Sequence, residues 1–577
     1  MIRNPFLRSF LLLLLAPGAL SAAQVGEESL AQRLLDAKRP RLAVVISIDQ
    51  FRADYLIRFA DLFLPARQTD GKVGGFRYLM QEGSWFLDAR YSAQPLFTCV
   101  GHATFSTGAL PPKSGIIANR WWDRDRRVDV YCVDDDRYRV VGAGAGSAAR
   151  PMGPRQLRVT TVADELKLAT NGAAKVVTLA LKDRAAIMMG GHTQDVSIWF
   201  DEADGRWISS TAYARNGELP QWVEALNRET IPDRFLGATW NVSVPPAALT
   251  RTIVPRLPHA PEFGFGAVFP HSIGREKNSV NYRLFTLLPE ANAFVFETAR
   301  RAVRAEGLGQ HDVPDLLGIN LSTNDYVGHT FGPFSPEVLD LTVQTDRYLA
   351  EFLQFLDESV PGGLKSVLIV LTSDHGVTGV PEDLLARGIP AGRVAAGDVE
   401  RTAQKALESA FGGGPWTGKG IGPFMDPHLY LNPAAVEQAL ASGKAKSRAQ
   451  IEDVAAQAVA ALPGVHEAFT HSQVERGQLP DTEVARWVAR GFHQQLSGDV
   501  LIVMEPGYFA NQAAASHGSA FSSDTQVPVL LAGPGVRRGA WTKRVTPADI
   551  APTLSLLLGI PVPNGNDGVL LTPALEP

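Results

Sequence analysis

The chain has 577 residues, of which 45% are hydrophobic and 20% charged, and its formal net charge is -5. This composition is typical of a globular protein with a large core and excludes a mainly disordered chain. The basic residues are scattered, which excludes a polybasic surface for polymeric nucleic acid or membranes and favours small soluble substrates.

The N-terminus carries the three parts of a secretory signal. The positively charged start MIRNPFLRSF is followed by the apolar run LLLLLAPGAL and by small residues at 21–23, where cleavage is expected. The apolar run is short for a membrane span, and no later segment reaches the ~20 apolar residues required. We therefore predict that residues 1–23 are a signal peptide and that the protein is periplasmic or secreted, with an uncleaved anchor as the alternative. Cys99 and Cys132 could pair in such a compartment, but their spacing does not decide it.

Three short apolar runs are typical of strands that are buried on both faces of a parallel sheet. They are 43–48 (AVVISI), 316–321 (LLGINL) and 367–371 (VLIVL). Acidic residues follow them at Asp49, Asp325 and Asp374. Because ligands bind at the C-terminal edge of open α/β sheets, the pattern predicts a site there. The fold class predicted is α/β, with a largely parallel central sheet flanked by helices.

Three histidines extend these carboxylates into two candidate metal groups. His329 follows Asp325 by four residues, so one helical turn would place both on one face, and His517 would complete that group. Zinc prefers histidine nitrogen and carboxylate oxygen, and two ions about 3.5–4 Å apart suit in-line displacement at phosphorus. The ligands predicted for two Zn²⁺ per chain are Asp325, His329 and His517 for one ion and Asp49, Asp374 and His375 for the other.

The segment PLFTCVGHATFSTGALPPKSGIIANRWWD, residues 95–123, places Thr98 before a helix-like run of small residues. Helix N-termini favour anions, and a metal that lowers the pKa of the Thr98 hydroxyl would make it a nucleophile. Asn119 follows a Gly-rich and Pro-rich turn, and its amide could donate to a phosphoryl oxygen. Each residue also has a purely structural interpretation, Thr98 as a helix cap and Asn119 as a turn former.

Two later stretches interrupt the alternation of strands and helices. Residues 201–290 are rich in proline and aromatic residues, and residues 381–498 contain Ala-rich amphipathic segments. We interpret both as cap insertions in one catalytic domain that covers residues 24–577.

Five motifs together resemble the alkaline phosphatase superfamily, and within it the PafA-like, phosphate-irrepressible alkaline phosphatases. They are ISIDQFRADY, FTCVGHATFSTGALPPKSGIIANRWWD, STNDYVGHTFGPFSPE, LTSDHG and SHGSAFSSDTQVPVLLAGPGV. The resemblance implies two zinc ions with the ligand groups above, and the Thr98 oxygen beside Asp49, Asp374 and His375. It also implies that Thr98 forms a transient phosphothreonine and that the protein acts on small phosphate esters. We expect a monomer without stable membrane insertion.

Lys182 and Arg184 follow an apolar run in VVTLALKDRAAI. In PafA-like enzymes a Lys-x-Arg at this position contacts the phosphoryl group together with the asparagine. Positive charge aimed at a dianion favours monoesters, so the resemblance implies a phosphomonoesterase. The family's phosphodiesterases and nucleotide pyrophosphatases are the alternative activity. A sulfatase would need a Cys-x-Pro-x-Arg segment, which Cys99 does not begin, and a binding protein without turnover would be expected to lack one of these groups. We expect His102 and His192, which lie near the motifs, to have loop roles or to support the ligands rather than to bind metal, and we leave them outside the site.

Overall fold

The computed structural model describes residues 39–261 and 264–575. The predicted signal peptide, residues 1–23, lies outside the described residues. Across the described part of the chain, we find no helix with the length and apolar character needed to traverse a bilayer.

A ten-stranded sheet forms the centre of the molecule. Its strands, in chain order, are β1 (Leu42–Ile48), β2 (Ser84–Phe86), β3 (Val140–Val141), β4 (Val176–Ala180), β5 (Val196–Asp201), β6 (Arg206–Ser210), β7 (Asp315–Leu321), β8 (Val367–Thr372), β9 (Val529–Ala532) and β10 (Gly539–Trp541). Across the sheet they lie in the order β10-β2-β9-β8-β1-β7-β4-β5-β6-β3. Strands β8, β1, β7, β4 and β5 run parallel to one another. Strands β9 and β6 flank them in antiparallel pairing, so the predicted α/β class with a largely parallel sheet is confirmed.

The three apolar runs are strands β1, β7 and β8, and every residue in them is buried. Successive side chains of a strand point to opposite faces. In β1, Val44 and Ile46 join one hydrophobic core, whereas Ala43 and Val45 join the core on the other face. Both faces are therefore covered, which explains why these strands are apolar without alternation.

Four helices carry or support the candidate site. They are α1 (Thr98–Thr107), α2 (Asp183–Gly190), α3 (Thr323–Phe331) and α4 (Pro336–Ser359). Helix α2 follows β4 and helix α3 follows β7, so both begin at the C-terminal edge of the parallel strands. Helix α4 begins at Pro336, directly after Ser335. The Ser335 side chain caps the helix by accepting a hydrogen bond from the Val338 backbone N–H.

Other helices surround the sheet or lie in the two candidate insertions. They are Tyr55–Arg58, Phe76–Glu82, Pro111–Ser114, Val162–Ala169, Gln221–Glu229, Pro246–Leu249, Ser279–Phe285, Pro289–Glu306, Pro381–Ala386, Ala396–Phe411, Pro433–Ala441, Arg448–Ala460, His471–Glu475, Glu483–Gly491, Ser522–Thr525 and Ile550–Leu558.

The two stretches interpreted as insertions differ in their relation to the sheet. Residues 201–290 include β6, which pairs with β5, and a small strand pair formed by Thr239–Trp240 and His271–Ser272. Residues 381–498 contribute to a separate four-stranded sheet with its own hydrophobic core. The strands of that sheet are Phe424–Met425, His428–Leu429, Val465–Thr470 and Val500–Met504. The boundaries of the insertions stay a sequence prediction.

Candidate active site

Two neighbouring strands bring the first three candidate ligands together. Strands β1 and β8 pair in parallel with Ser47 opposite Thr372, so the chain segments that leave their C-terminal ends run side by side. Asp49, Asp374 and His375 lie on these two segments, and all three are fully buried. We call these three residues the inner group.

The ligand atoms of the inner group face one another. The His375 Nε2 atom lies 3.6 Å from Asp49 Oδ1 and 3.3 Å from Asp374 Oδ2. All three atoms are buried and have no hydrogen-bond partner within the described part of the protein. Buried polar atoms without partners are costly, and two carboxylate oxygens with an imidazole nitrogen are ligands that zinc prefers. The residues present therefore fit a divalent metal ion.

Asp325, His329 and His517 form the outer group. The first two lie one turn apart on helix α3, with His329 Nε2 3.3 Å from Asp325 Oδ1. His517 comes from a loop that follows the four-stranded sheet, and its Nε2 lies 3.9 Å from Asp325 Oδ1. The His517 ring stacks on the His375 ring with centroids 3.5 Å apart. The candidate ligand atoms of Asp325, His375 and His517 lie within 4.8 Å of one another, so His375 is within reach of both groups.

Backbone carbonyls orient the three histidines. His329 Nδ1 lies 2.8 Å from the Ala515 oxygen, His517 Nδ1 lies 3.1 Å from the Leu96 oxygen, and His375 Nδ1 lies 3.0 Å from the Gly376 oxygen. Because a carbonyl can only accept a hydrogen bond, each Nδ1 carries the proton and donates. Each Nε2 then points toward the carboxylates, which is the ring orientation in which imidazole binds a metal.

Three carboxylates and one lysine determine the electrostatics of the site. The Lys182 ammonium lies 2.9 Å from Asp49 Oδ2 and 2.5 Å from Asp325 Oδ2. Burial and the Asp374 carboxylate raise the pKa of Asp49 well above its usual value. Burial acts in the same direction on Asp325, but the Lys182 ammonium together with His329 and His375 outweighs it, and the pKa of Asp325 is lowered well below its usual value. One ammonium does not balance three carboxylates, so the cluster favours further positive charge.

Burial also sets the protonation of two histidines. It lowers the pKa of His375, and together with the neighbouring His375 it lowers the pKa of His517 well below its usual value. Both rings are therefore neutral at physiological pH, which is the form that binds a metal ion.

Helix α1 presents Thr98 in its first turn. Phe97 is the N-cap residue and makes no side-chain cap bond, so Thr98 is not the helix cap. The helix packs tightly on the segment after β8, because a Cβ atom at Gly101 would lie 2.1 Å from the Asp374 carbonyl oxygen. The Cys99 amide donates to Asn119 Oδ1 over 2.9 Å, and Cys99 forms a disulfide with Cys132. These contacts hold Thr98 and Asn119 at the same end of the helix.

Lys182 and Arg184 lie at the start of helix α2. Lys182 is the N-cap residue and is buried, with its ammonium among the carboxylates. Arg184 donates to the Tyr131 hydroxyl over 3.2 Å, and its buried Nε has no partner within the described residues. The two side chains therefore bring positive charge to the edge of the sheet where both metal groups lie.

Two clefts open beside these groups. A cleft of about 530 Å³ is bordered by Asp325, His329, Arg184 and residues of the stretch 201–290, among them Glu202 and Arg283. A smaller one of about 250 Å³ is bordered by Phe97 and Asn119 and, from the second stretch, by Met425 and Asp426. Both candidate insertions therefore border the site, and substrate can approach it from the outer group.

His102, which was predicted to lie outside the site, packs one helical turn from Thr98 on the same helix. His102 is fully buried, and its Nδ1 lies 2.9 Å from the Thr98 carbonyl oxygen and 3.4 Å from Asp374 Oδ2. Its Nε2 lies 3.1 Å from the Asn320 amide nitrogen at the end of β7. The signal for this contact was its spacing of four residues from Thr98 on the same helix. His192 lies elsewhere, and its Nδ1 is 2.9 Å from Asp164 Oδ2.

The comparisons with known proteins agree on one family. The family model described as type I phosphodiesterase / nucleotide pyrophosphatase matches residues 43–525. The chain is similar to alkaline phosphatase PhoV of Synechococcus elongatus, with 33% identity over 93% of each chain. It is 30% identical to alkaline phosphatase PafA of Elizabethkingia meningoseptica, covering 94% of this chain and 96% of that one. The crystal structure of wild-type PafA superposes with a TM-score of 0.82 at 30% identity, covering 93% of this chain and 99% of that one.

Proposed function

The chain belongs to the type I phosphodiesterase / nucleotide pyrophosphatase family and is a phosphatase of the PafA-like kind, and we propose that it is an exported zinc enzyme that hydrolyses phosphate monoesters through Thr98. One observation carries the proposal. The ligand atoms of Asp49, Asp374 and His375 converge while buried and without partners. The N-terminus of α1, with Thr98 in its first turn, lies against the same segment.

In this proposal the two groups hold two zinc ions. Asp49, Asp374 and His375 hold one beside Thr98, and Asp325, His329 and His517 hold the other beside the larger cleft. Bound zinc would supply the positive charge that stabilises the Thr98 alkoxide and the leaving oxygen. The candidate ligands favour zinc because histidine nitrogens and carboxylate oxygens at a buried site suit it, whereas magnesium prefers oxygen ligands and retained water.

Thr98 is the proposed nucleophile because of its place on the helix. Its hydroxyl loses a proton, and the oxygen forms a bond to phosphorus as the bond from phosphorus to the leaving oxygen breaks. The departing oxygen takes up a proton to give the alcohol, and a phosphothreonine remains. Water then attacks that phosphorus, phosphate departs and the Thr98 hydroxyl is restored. The amide groups at the N-terminus of α1 and the positive end of its dipole favour the anionic phosphoryl group throughout.

Three side chains are proposed to select monoesters. A monoester dianion exposes three non-bridging oxygens, and Asn119, Lys182 and Arg184 bring an amide, an ammonium and a guanidinium to this edge of the sheet. Positively charged donors at a buried site stabilise a dianion more than a singly charged diester. The preference for monoesters over diesters is therefore expected to depend on Lys182.

Export is proposed from the N-terminal sequence together with the disulfide. Residues 1–23 have the three parts of a signal peptide. Cys99 and Cys132 form a disulfide, a bond that is typical of oxidising compartments outside the cytosol. We propose a periplasmic or secreted monomer.

The test is kcat/KM for an aryl phosphomonoester against the matching methyl phosphodiester, with the zinc-loaded protein and Lys182→Ala. We expect a strong monoester preference, and a fall of about 10²–10³-fold for the monoester in the variant with a smaller loss for the diester. Lys113→Ala, which removes an exposed lysine paired with Asp567, is the matched control and should change neither value. Zinc content is measured for each protein. A diester preference that does not depend on Lys182 would instead identify a phosphodiesterase or nucleotide pyrophosphatase.

A further inference from the structure

Gln50 has an unusual backbone conformation beside the first metal ligand. It follows Asp49 directly, its φ is 61°, and it is fully buried. The left-handed region is unfavourable for residues with a Cβ atom, and a residue stays there only when its surroundings hold it. Such strain is found mainly at functional sites, so the contacts of Gln50 are informative.

Gln50 contacts one carboxylate in each metal group. Its backbone N–H donates to Asp374 Oδ1 over 3.0 Å, and its side-chain Nε2 donates to Asp325 Oδ1 over 2.9 Å. The orientation of the amide follows from chemistry, because an ionised carboxylate can only accept. Among the described residues, Gln50 alone donates hydrogen bonds to both carboxylates.

Helix α3 is shaped to receive this side chain. A Cβ atom at Gly328 would lie 1.9 Å from Gln50 Oε1, so the missing side chain at Gly328 makes room for the amide. The left-handed turn after Asp49 directs the backbone N–H to the inner group and the side chain to the outer group. The strain is therefore compensated by contacts that join the two groups.

We propose that Gln50 is a positioning residue. By donating a hydrogen bond to the Asp325 carboxylate, it fixes the position of the outer group relative to the inner group. The inference rests on the proposed function in taking Asp325 and Asp374 as metal ligands. Hydrogen bonds from outside a metal site orient its ligands before the ion binds. Without the Gln50 amide, Asp325 keeps its contacts to Lys182, His329 and His517, and the contact of Gln50 with Asp374 remains because the backbone makes it.

The experiment measures zinc retention by Gln50→Gly and Gln50→Met during titration with a chelator. Glycine permits the left-handed backbone and removes the amide, whereas methionine keeps a similar volume and cannot donate. We expect both variants to lose one of two zinc ions at chelator concentrations at which the wild-type protein keeps both. The affinity for that ion should be lower by about 10–100-fold. The second ion is expected to bind as in the wild type, a selectivity that general loss of structure would not produce.

Asn171→Gly is the matched control, because Asn171 is an exposed non-glycine residue with φ 50° and is not a site residue. It should retain both ions, and thermal unfolding of the metal-free proteins reports any loss of the fold. Retention of both ions with wild-type affinity in either Gln50 variant would overturn the proposal. Zinc binding is measured without turnover, so a protein that binds two ions but does not hydrolyse monoesters would refute the proposed function alone.

Discussion

The inner and outer groups of candidate metal ligands are built in different ways. Asp49, Asp374 and His375 leave adjacent parallel strands whose register places them side by side, and all three are fully buried. The outer group joins one turn of helix α3 to His517, which arrives after the second candidate insertion, and the His329 side chain is 29% exposed beside the larger cleft. Strand register places the inner group, whereas the outer group depends on docking of a distant loop and lies beside the larger cleft.

The largest expected effect comes from Thr98, the proposed nucleophile beside the inner group. Thr98→Ala removes the only oxygen of that side chain, and we expect kcat/KM for an aryl phosphomonoester to fall by at least about 10⁴-fold. The zinc content should not change, because both ligand groups remain. Steady-state kinetics and metal analysis on the same preparation check this.

Thr104→Ala is the control for Thr98→Ala. Its hydroxyl donates to the Val100 carbonyl oxygen within the same buried helix, so it tests loss of a threonine hydroxyl without loss of the nucleophile. Substantial turnover by Thr98→Ala would refute the phosphothreonine route and leave the two groups as metal sites only.

A second pair of variants separates the groups. His375 is within reach of both groups, so we expect His375→Ala to weaken the binding of both ions and to lower kcat/KM by about 10³-fold or more. His329 belongs to the outer group alone, and His329→Ala should cost one ion and about 10–100-fold in activity. Metal stoichiometry after dialysis distinguishes the two results. Equal losses in both variants would show that the groups do not bind ions independently.

The smallest effect concerns the support of the inner group. His102→Ala removes the ring that contacts both the Thr98 carbonyl and Asp374, and we expect kcat to fall by about tenfold with little change in KM. His192→Ala is the control, because His192 also pairs with a carboxylate, that of Asp164, but is not a site residue. An unchanged kcat in His102→Ala would show that the packing at Gly101 and the contacts of Cys99 position Thr98 without the His102 ring.

Much of the inner group could be predicted from the sequence. The strands β1, β7 and β8 were recognisable because burial on both faces requires continuous apolar runs, and the carboxylates follow them at a short distance. The contact of Asp325 with His329 followed from helical spacing. The sequence favoured a loop or supporting role for His102 over metal binding, but it did not identify the partners Asn320 and Asp374, which lie more than 200 positions away in the chain.

The sequence by itself determined the α/β class, the family motifs and the chemical types of the ligands, because these depend on local patterns of burial and on residue identity. Only the tertiary structure decided which atoms converge. It placed His375 within reach of both groups, joined Cys99 to Cys132 and put Gln50 between Asp374 and Asp325. The physical reason is that strand register and loop docking set the distances between residues far apart in the chain, and no local pattern encodes those distances.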